Sequence, residues 1–179
     1  NTPLLTLPLE KDWNLMSIPL VLEDNTISEV LLSLTGKYNT TLAYNSSKKE
    51  WDSYYPNQPF LNTINSISLE KGYWIEMTEN ATLLITGNLP TSTIYTLYTG
   101  WNLISYPSLT EQSVTSTLAN VNETFTSIFS FSNNIWKSYS PNKPSFLNSL
   151  QTMQPGHGYW VKANQNTTWQ FNGTHYISN

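Results

Sequence analysis

Asp12-Trp13-Asn14-Leu15-Met16-Ser17-Ile18-Pro19 returns later in the chain as Gly100-Trp101-Asn102-Leu103-Ile104-Ser105-Tyr106-Pro107. Other blocks repeat in the same order. Trp51-Asp52-Ser53-Tyr54-Tyr55-Pro56-Asn57 becomes Trp136-Lys137-Ser138-Tyr139-Ser140-Pro141-Asn142, followed in each copy by Phe-Leu-Asn at Phe60 to Asn62 and Phe146 to Asn148. Gly72-Tyr73-Trp74-Ile75 becomes Gly158-Tyr159-Trp160-Val161, and Asn80-Ala81-Thr82 becomes Asn166-Thr167-Thr168. Blocks kept in order at a spacing of 85 to 88 residues are the mark of a duplicated unit. The break falls near Leu89-Pro90-Thr91, giving one repeat module over 1–90 and a second over 91–179.

Each copy reads as short strands with one helix. Around Trp13 the apolar residues alternate, with Trp13, Leu15 and Ser17 on one side and Asn14, Met16 and Ile18 on the other, and Pro19 closes the strand. Thr26 with Glu29 three positions on, apolar Ile27, Val30, Leu31 and Leu34, and Gly36 just beyond predict a capped helix. The second copy offers a poorer version around Ser113, Val114, Leu118 and Val121. Hairpins are predicted about Asn45-Ser46-Ser47 and Asn133-Asn134. Strands follow at 73–77 and 82–86, and at 159–163 and 168–171, and a leading strand precedes each copy at 4–9 and 93–97. The expected fold class is mostly β with one short helix per repeat, in two tandem homologous modules of about 88 residues.

Composition narrows the function. Of 179 residues only 11% are charged, against about 25% in ordinary soluble chains. The formal net charge is −4, and every basic side chain is a Lys in a scattered position, so no basic stripe tracks a phosphate backbone and nucleic acid is not expected as a partner. No apolar run approaches the ~20 residues of a membrane span. Asn, Ser and Thr make up roughly a third of the chain, which suits an exposed or glycan-bearing surface. Cys is absent, excluding a disulfide framework. The chain opens on Asn1-Thr2-Pro3 and reads as a processed or excised piece, with any leader or anchor lying elsewhere.

The pattern W-N-L-x-S-x-P, W-x-S-Y-x-P and G-Y-W-hydrophobic resembles a tandem repeat of secreted and cell-surface proteins of archaea, methanogens in particular, and of some bacteria. The resemblance covers nearly the whole chain through Trp13/Trp101, Trp51/Trp136 and Gly72-Tyr73-Trp74/Gly158-Tyr159-Trp160. It implies an extracellular or cell-surface setting and a structural or binding role, and it carries no catalytic residue with it. The first copy departs from the second at Asp12 against Gly100, and at Glu70-Lys71 against Gly156-His157.

Seven Trp invite a sugar-stacking surface, but six of them occupy repeated strand positions, where core packing is the base case. Trp13, Trp74, Trp101 and Trp160 are therefore expected in the core. Trp51 and Tyr54, Trp136 and Tyr139, and Trp169 are the ligand-binding candidates if the aromatics are exposed. A glycosidase needs two converging carboxylates, yet ten of the twelve acids lie in the first copy, where Asp52 aligns with Lys137 and Glu76 with Lys162. His157 and His175 lack partners for a metal cage. Catalytic residues, metal and cofactor are accordingly expected to be none, and the chain is not expected to be an enzyme. Sequons stand at Asn39, Asn45, Asn80, Asn122, Asn166 and Asn172. Asn80 and Asn166 are the leading glycosylation candidates because they fall on equivalent turns.

The expectation is a non-enzymatic, extracellular structural or adhesive repeat protein. Its partners would be other surface-protein subunits, cell-wall or extracellular polysaccharide, or further copies of itself. The alternative is a carbohydrate-binding module appended to an enzyme or adhesin.

Overall fold

A computed structural model describes residues 2–172. The first half carries β1 (Leu4–Leu9), β2 (Asp12–Ser17), α1 (Ile27–Val30), β3 (Tyr38–Asn45), β4 (Glu50–Tyr54), β5 (Gly72–Met77) and β6 (Ala81–Thr86). The second half carries β7 (Ser92–Leu97), β8 (Gly100–Ser105), β9 (Gln112–Ser113), α2 (Val114–Thr117), β10 (Phe125–Ser132), β11 (Ile135–Tyr139), β12 (Thr152–Met153), β13 (Gly158–Ala163) and β14 (Thr167–Asn172). The protein is mostly β, and among the described residues each half has one single-turn α-helix.

All ladders between these strands are antiparallel and close within one half. β2-β5-β3-β4 forms one four-stranded sheet and β8-β13-β10-β11 the other, while β1 pairs β6 and β7 pairs β14. The short β9–β12 pair of the second half has its counterpart in a single bridge between Thr26 and Ser66. At the β10–β11 hairpin Asn133 (φ 52°) and Asn134 (φ 59°) both take the left-handed conformation that a two-residue type I′ turn demands and Asn tolerates.

Each four-stranded sheet covers its own core with one face. In the first half Met16, Ile18, Tyr73, Ile75 and Met77 pack against Leu5, Leu7 and Leu9 of β1 and Leu83 and Ile85 of β6. In the second, Ile104, Tyr159 and Val161 meet Tyr95, Leu97, Trp169 and Phe171. The other faces of the two sheets turn toward each other. There the Oγ of Ser17 donates to the His157 carbonyl (2.6 Å) and that of Ser105 to the Leu69 carbonyl (2.7 Å). The backbone N–H of Ser17 donates to Gly156 O (2.8 Å) and that of Ser105 to Glu70 O (3.1 Å).

The helix expectation needs correcting. α1 is one turn followed by a 3-10 turn at Leu32–Leu34, and Thr26 makes no side-chain cap. Instead the Thr26 N–H donates to Asp24 Oδ1 (2.8 Å), an Asx turn in which Asp24 stands in for Glu29 as the acceptor a capping box would use. The poorer-looking second helix is the capped one, since Ser113 Oγ accepts from the Ser116 N–H (3.1 Å).

Trp169 is also corrected: it is wholly buried. Alternation along β14 puts Trp169 and Phe171 on the core face. The indole Nε1–H donates to Thr124 Oγ1 (2.8 Å), satisfying the ring's only donor. Here the second half has Thr117 and Val121 where the first has Val30 and Leu34, so a larger strand residue fills the volume that smaller helix residues leave.

Candidate functional site

The repeated motifs decode residue by residue. In W-N-L-x-S, Asn14 closes the turn between β1 and β2: its Oδ1 accepts from Glu10 N–H (3.0 Å) and its Nδ2 donates to Glu10 O (2.7 Å). Asn102 repeats this on Tyr98 at 2.9 and 2.7 Å. Leu15 and Leu103 press against the opposite half at Gly158 and Gly72, and the Ser makes the bond between halves described above. In G-Y-W the Tyr points into its own core, where the Tyr73 hydroxyl accepts from Ser68 N–H and the Tyr159 hydroxyl from Gln154 N–H, both at 2.8 Å. Burial pushes Tyr73 up to about 12 and raises Tyr159 as well. The next residue along a strand points to the opposite face. Trp74 and Trp160 therefore leave the core.

This overturns the expectation that Trp13, Trp74, Trp101 and Trp160 are core residues. Trp13 is 37% and Trp101 39% exposed, and Trp74 and Trp160 are half-buried. Both faces of these strands are apolar, and the smaller side chains Met16, Tyr73 and Ile75 won the interior. Trp51 and Trp136, each 51% exposed, join the same surface.

Together the six Trp line a trough where the two sheets diverge from their central contact. Its first groove, about 490 Å³, is walled by Tyr44, Trp51, Trp101, Phe129, Trp136 and Trp160. A second, of about 380 Å³, is walled by Trp13, Leu42, Trp51, Trp74, Phe131 and Trp136. Trp51 and Trp136 belong to both, so the grooves adjoin along a shared wall. They are also related by an approximate twofold axis. Tyr44–Trp160 ring centroids lie 5.4 Å apart and Phe131–Trp74 5.2 Å; Trp51–Trp160 are 5.8 Å apart and Trp136–Trp74 5.9 Å; Trp101–Trp160 are 6.2 Å apart and Trp13–Trp74 6.1 Å. Edge-to-face and tilted contacts of this kind hold the rings in place. A prearranged aromatic wall then costs little ordering entropy when a ligand lies on it.

Tyr54 and Tyr139, expected beside the two central Trp, are not part of the trough. Three residues along a strand reverses the face, and Tyr139 is buried while Tyr54 packs against the first core. The residues missed were Tyr44, Phe129 and Phe131. A signal for two of them was present, since Tyr44 pairs with Trp51 and Phe131 with Trp136 across the hairpins.

The sequons fall in differing settings. Asn80 and Asn166 sit on exposed, equivalent turns, where Asn80 Oδ1 accepts from Lys11 N–H (2.8 Å) and Asn166 Oδ1 from Thr99 N–H (2.9 Å). Asn39 donates to Glu76, Asn45 accepts from the Lys48 N–H in its own turn, and Asn122 is half-buried. Asn172 ends β14, and its sequon runs on beyond the described residues, as does His175. His157 sits in the turn before β13 and contributes its backbone to the contact between halves.

Among the described residues no helix is long and apolar enough to cross a membrane, and no three potential metal ligands converge. No family model, curated protein or solved structure matches this chain.

Proposed function

We propose that this chain is a non-catalytic, extracellular adhesive module that holds polysaccharide in the trough between its two sheets. The observation that carries this reading is the wall of six Trp with Tyr44, Phe129 and Phe131, held open to solvent on a rigid β scaffold. A pyranose ring presents an apolar C–H face that stacks on indole, and its hydroxyls stay in water at the open side. Both groove volumes fall within the range of small-ligand sites. Nearly all lining atoms are apolar carbon, which suits stacking and gives a reacting bond no acid or base to work with. Retention on insoluble and soluble polysaccharides tests the reading: W51A/W136A is expected to abolish retention with the fold intact, and unchanged retention would refute it.

Assembly with further copies is a second reading, favoured by Phe60 and Phe146. These equivalent residues on 3-10 turns are 82% and 83% exposed, although the turns are fixed by Asn62 and Asn148 side chains. Rigidly displayed Phe side chains suit burial in a neighbouring subunit. Light scattering across concentration tests it. Concentration-dependent association lost in F60S/F146S is expected, and a strict monomer at high concentration would contradict it.

A further inference from the structure

The aromatic wall obeys the approximate twofold, but the charges at its ends do not. Lys162 lies opposite Trp101 across the β8–β13 ladder, with Nζ 5.7 Å from the centre of that ring. At the equivalent position Glu76 lies opposite Trp13 across β2–β5, and accepts from Asn39 Nδ2 at 3.1 Å. Both residues share a strand face with the trough Trp two positions before them, Trp160 and Trp74. The hairpin turns differ in the same sense. Lys48 and Lys49 occupy the turn that carries Tyr44 and Trp51, with Glu50 beginning the next strand. Asn133 and Asn134 occupy the turn that carries Phe131 and Trp136, and Asn133, with its amide nitrogen facing Glu10, donates to both carboxylate oxygens at 3.1 and 3.2 Å.

Resting on the reading of the trough as a polysaccharide site, we propose that its first groove selects a uronic acid unit. The sugar ring stacks against Trp101 and Trp160 and its carboxylate pairs with Lys162. The second groove, with Glu76 in that place, takes a neutral unit and repels an acidic one. A chain polymer lying in an aromatic trough with twofold symmetry could enter in either direction with equal stacking. The Lys162/Glu76 difference removes that degeneracy and gives the site a preferred end. The net charge of −4 opposes a polyanion at long range, but at physiological salt such repulsion is screened beyond about 8 Å, and the local partner decides.

The test compares polymers that alternate a uronic acid with a neutral sugar and differ only in charge, sodium hyaluronate against its methyl-esterified form and unsulfated chondroitin against its ester, binding the full chain at physiological salt. The acid forms are expected to bind about 2- to 5-fold tighter, the scale of one partly exposed ion pair. K162E should remove that preference, scored as the ratio of acid to ester affinity, while E76K should enlarge it. Equal affinity for acid and ester in the unsubstituted protein, or a preference that survives K162E, would overturn the proposal while ester binding lost in W51A/W136A upholds the trough. Failure of all four polymers to bind while a neutral polysaccharide is still retained would overturn this proposal alone, and failure of every polysaccharide to bind would overturn the trough reading and this proposal with it.

Discussion

A Cβ built on Gly158 would lie 3.4 Å from the Cα of Gly72 and 2.8 Å from the carbonyl oxygen of Met16. The reciprocal atom on Gly72 would meet the Ile104 carbonyl oxygen at 2.7 Å. Glycine opens the G-Y-W motif in both halves because the two sheets touch there, backbone to backbone, and the trough widens outward from that contact. Gly72→Ala and Gly158→Ala should each cost about 1–3 kcal/mol, the range for overpacking where a backbone atom must move. Urea unfolding measures the loss. A double variant as stable as the unsubstituted chain would contradict the contact.

Trp169 and the trough Trp should separate in solution. Replacing Trp169 with Ala should destabilise the protein by about 3–5 kcal/mol, as for a large buried aromatic. Replacing Trp51 or Trp136 should change stability by under about 1 kcal/mol, because each is half in water and removal leaves no closed cavity. Thermal unfolding of the three variants checks the order.

Acidification should weaken the fold through His157. Burial holds its imidazole below the ordinary value, so the folded protein keeps it neutral where the unfolded chain would not. Above about pH 6.5 both states are neutral and the group contributes no slope. Below that, the unfolded chain gains a proton that the folded one refuses, and stability falls as pH drops toward the lowered folded value. His157→Gln should flatten this part of the urea midpoint against pH; an unchanged slope would show that other groups carry it.

Asn80 and Asn166 should matter to stability whether or not they carry glycans. Each side-chain oxygen accepts a backbone N–H of a neighbouring turn. Asn80→Ala is expected to cost about 0.5–1.5 kcal/mol, measured by unfolding of protein produced without glycosylation. Intact mass of protein from its natural source reports whether either residue is modified.

Much of this architecture is legible in the chain because the repeat exposes it. Strand positions, both hairpins and the single helix of each half follow from alternation, turn residues and the doubled motifs. What the sequence hides is which of two apolar faces is the interior. Trp13 and Leu15 alternate with Met16 and Ile18, and a period of two assigns faces without saying which one meets the core. Size would suggest the Trp, yet the β1–β6 and β7–β14 pairs cover the other side. Tyr54 and Tyr139 are different. Their displacement from Trp51 and Trp136 by an odd number of residues already excluded a shared surface. Gly72 and Gly158 were readable as repeated, but the reason for them lies in packing between distant segments that no local pattern encodes.

The most direct test of the trough is tryptophan fluorescence of the native protein during titration with polysaccharide, repeated with acrylamide as quencher. The account predicts that most of the emission is quenchable in the free protein, that a bound polysaccharide protects it, and that W51A/W136A shows neither binding nor protection while keeping a shielded Trp169 signal. Emission shielded throughout, or quenching that no polysaccharide alters, would contradict it.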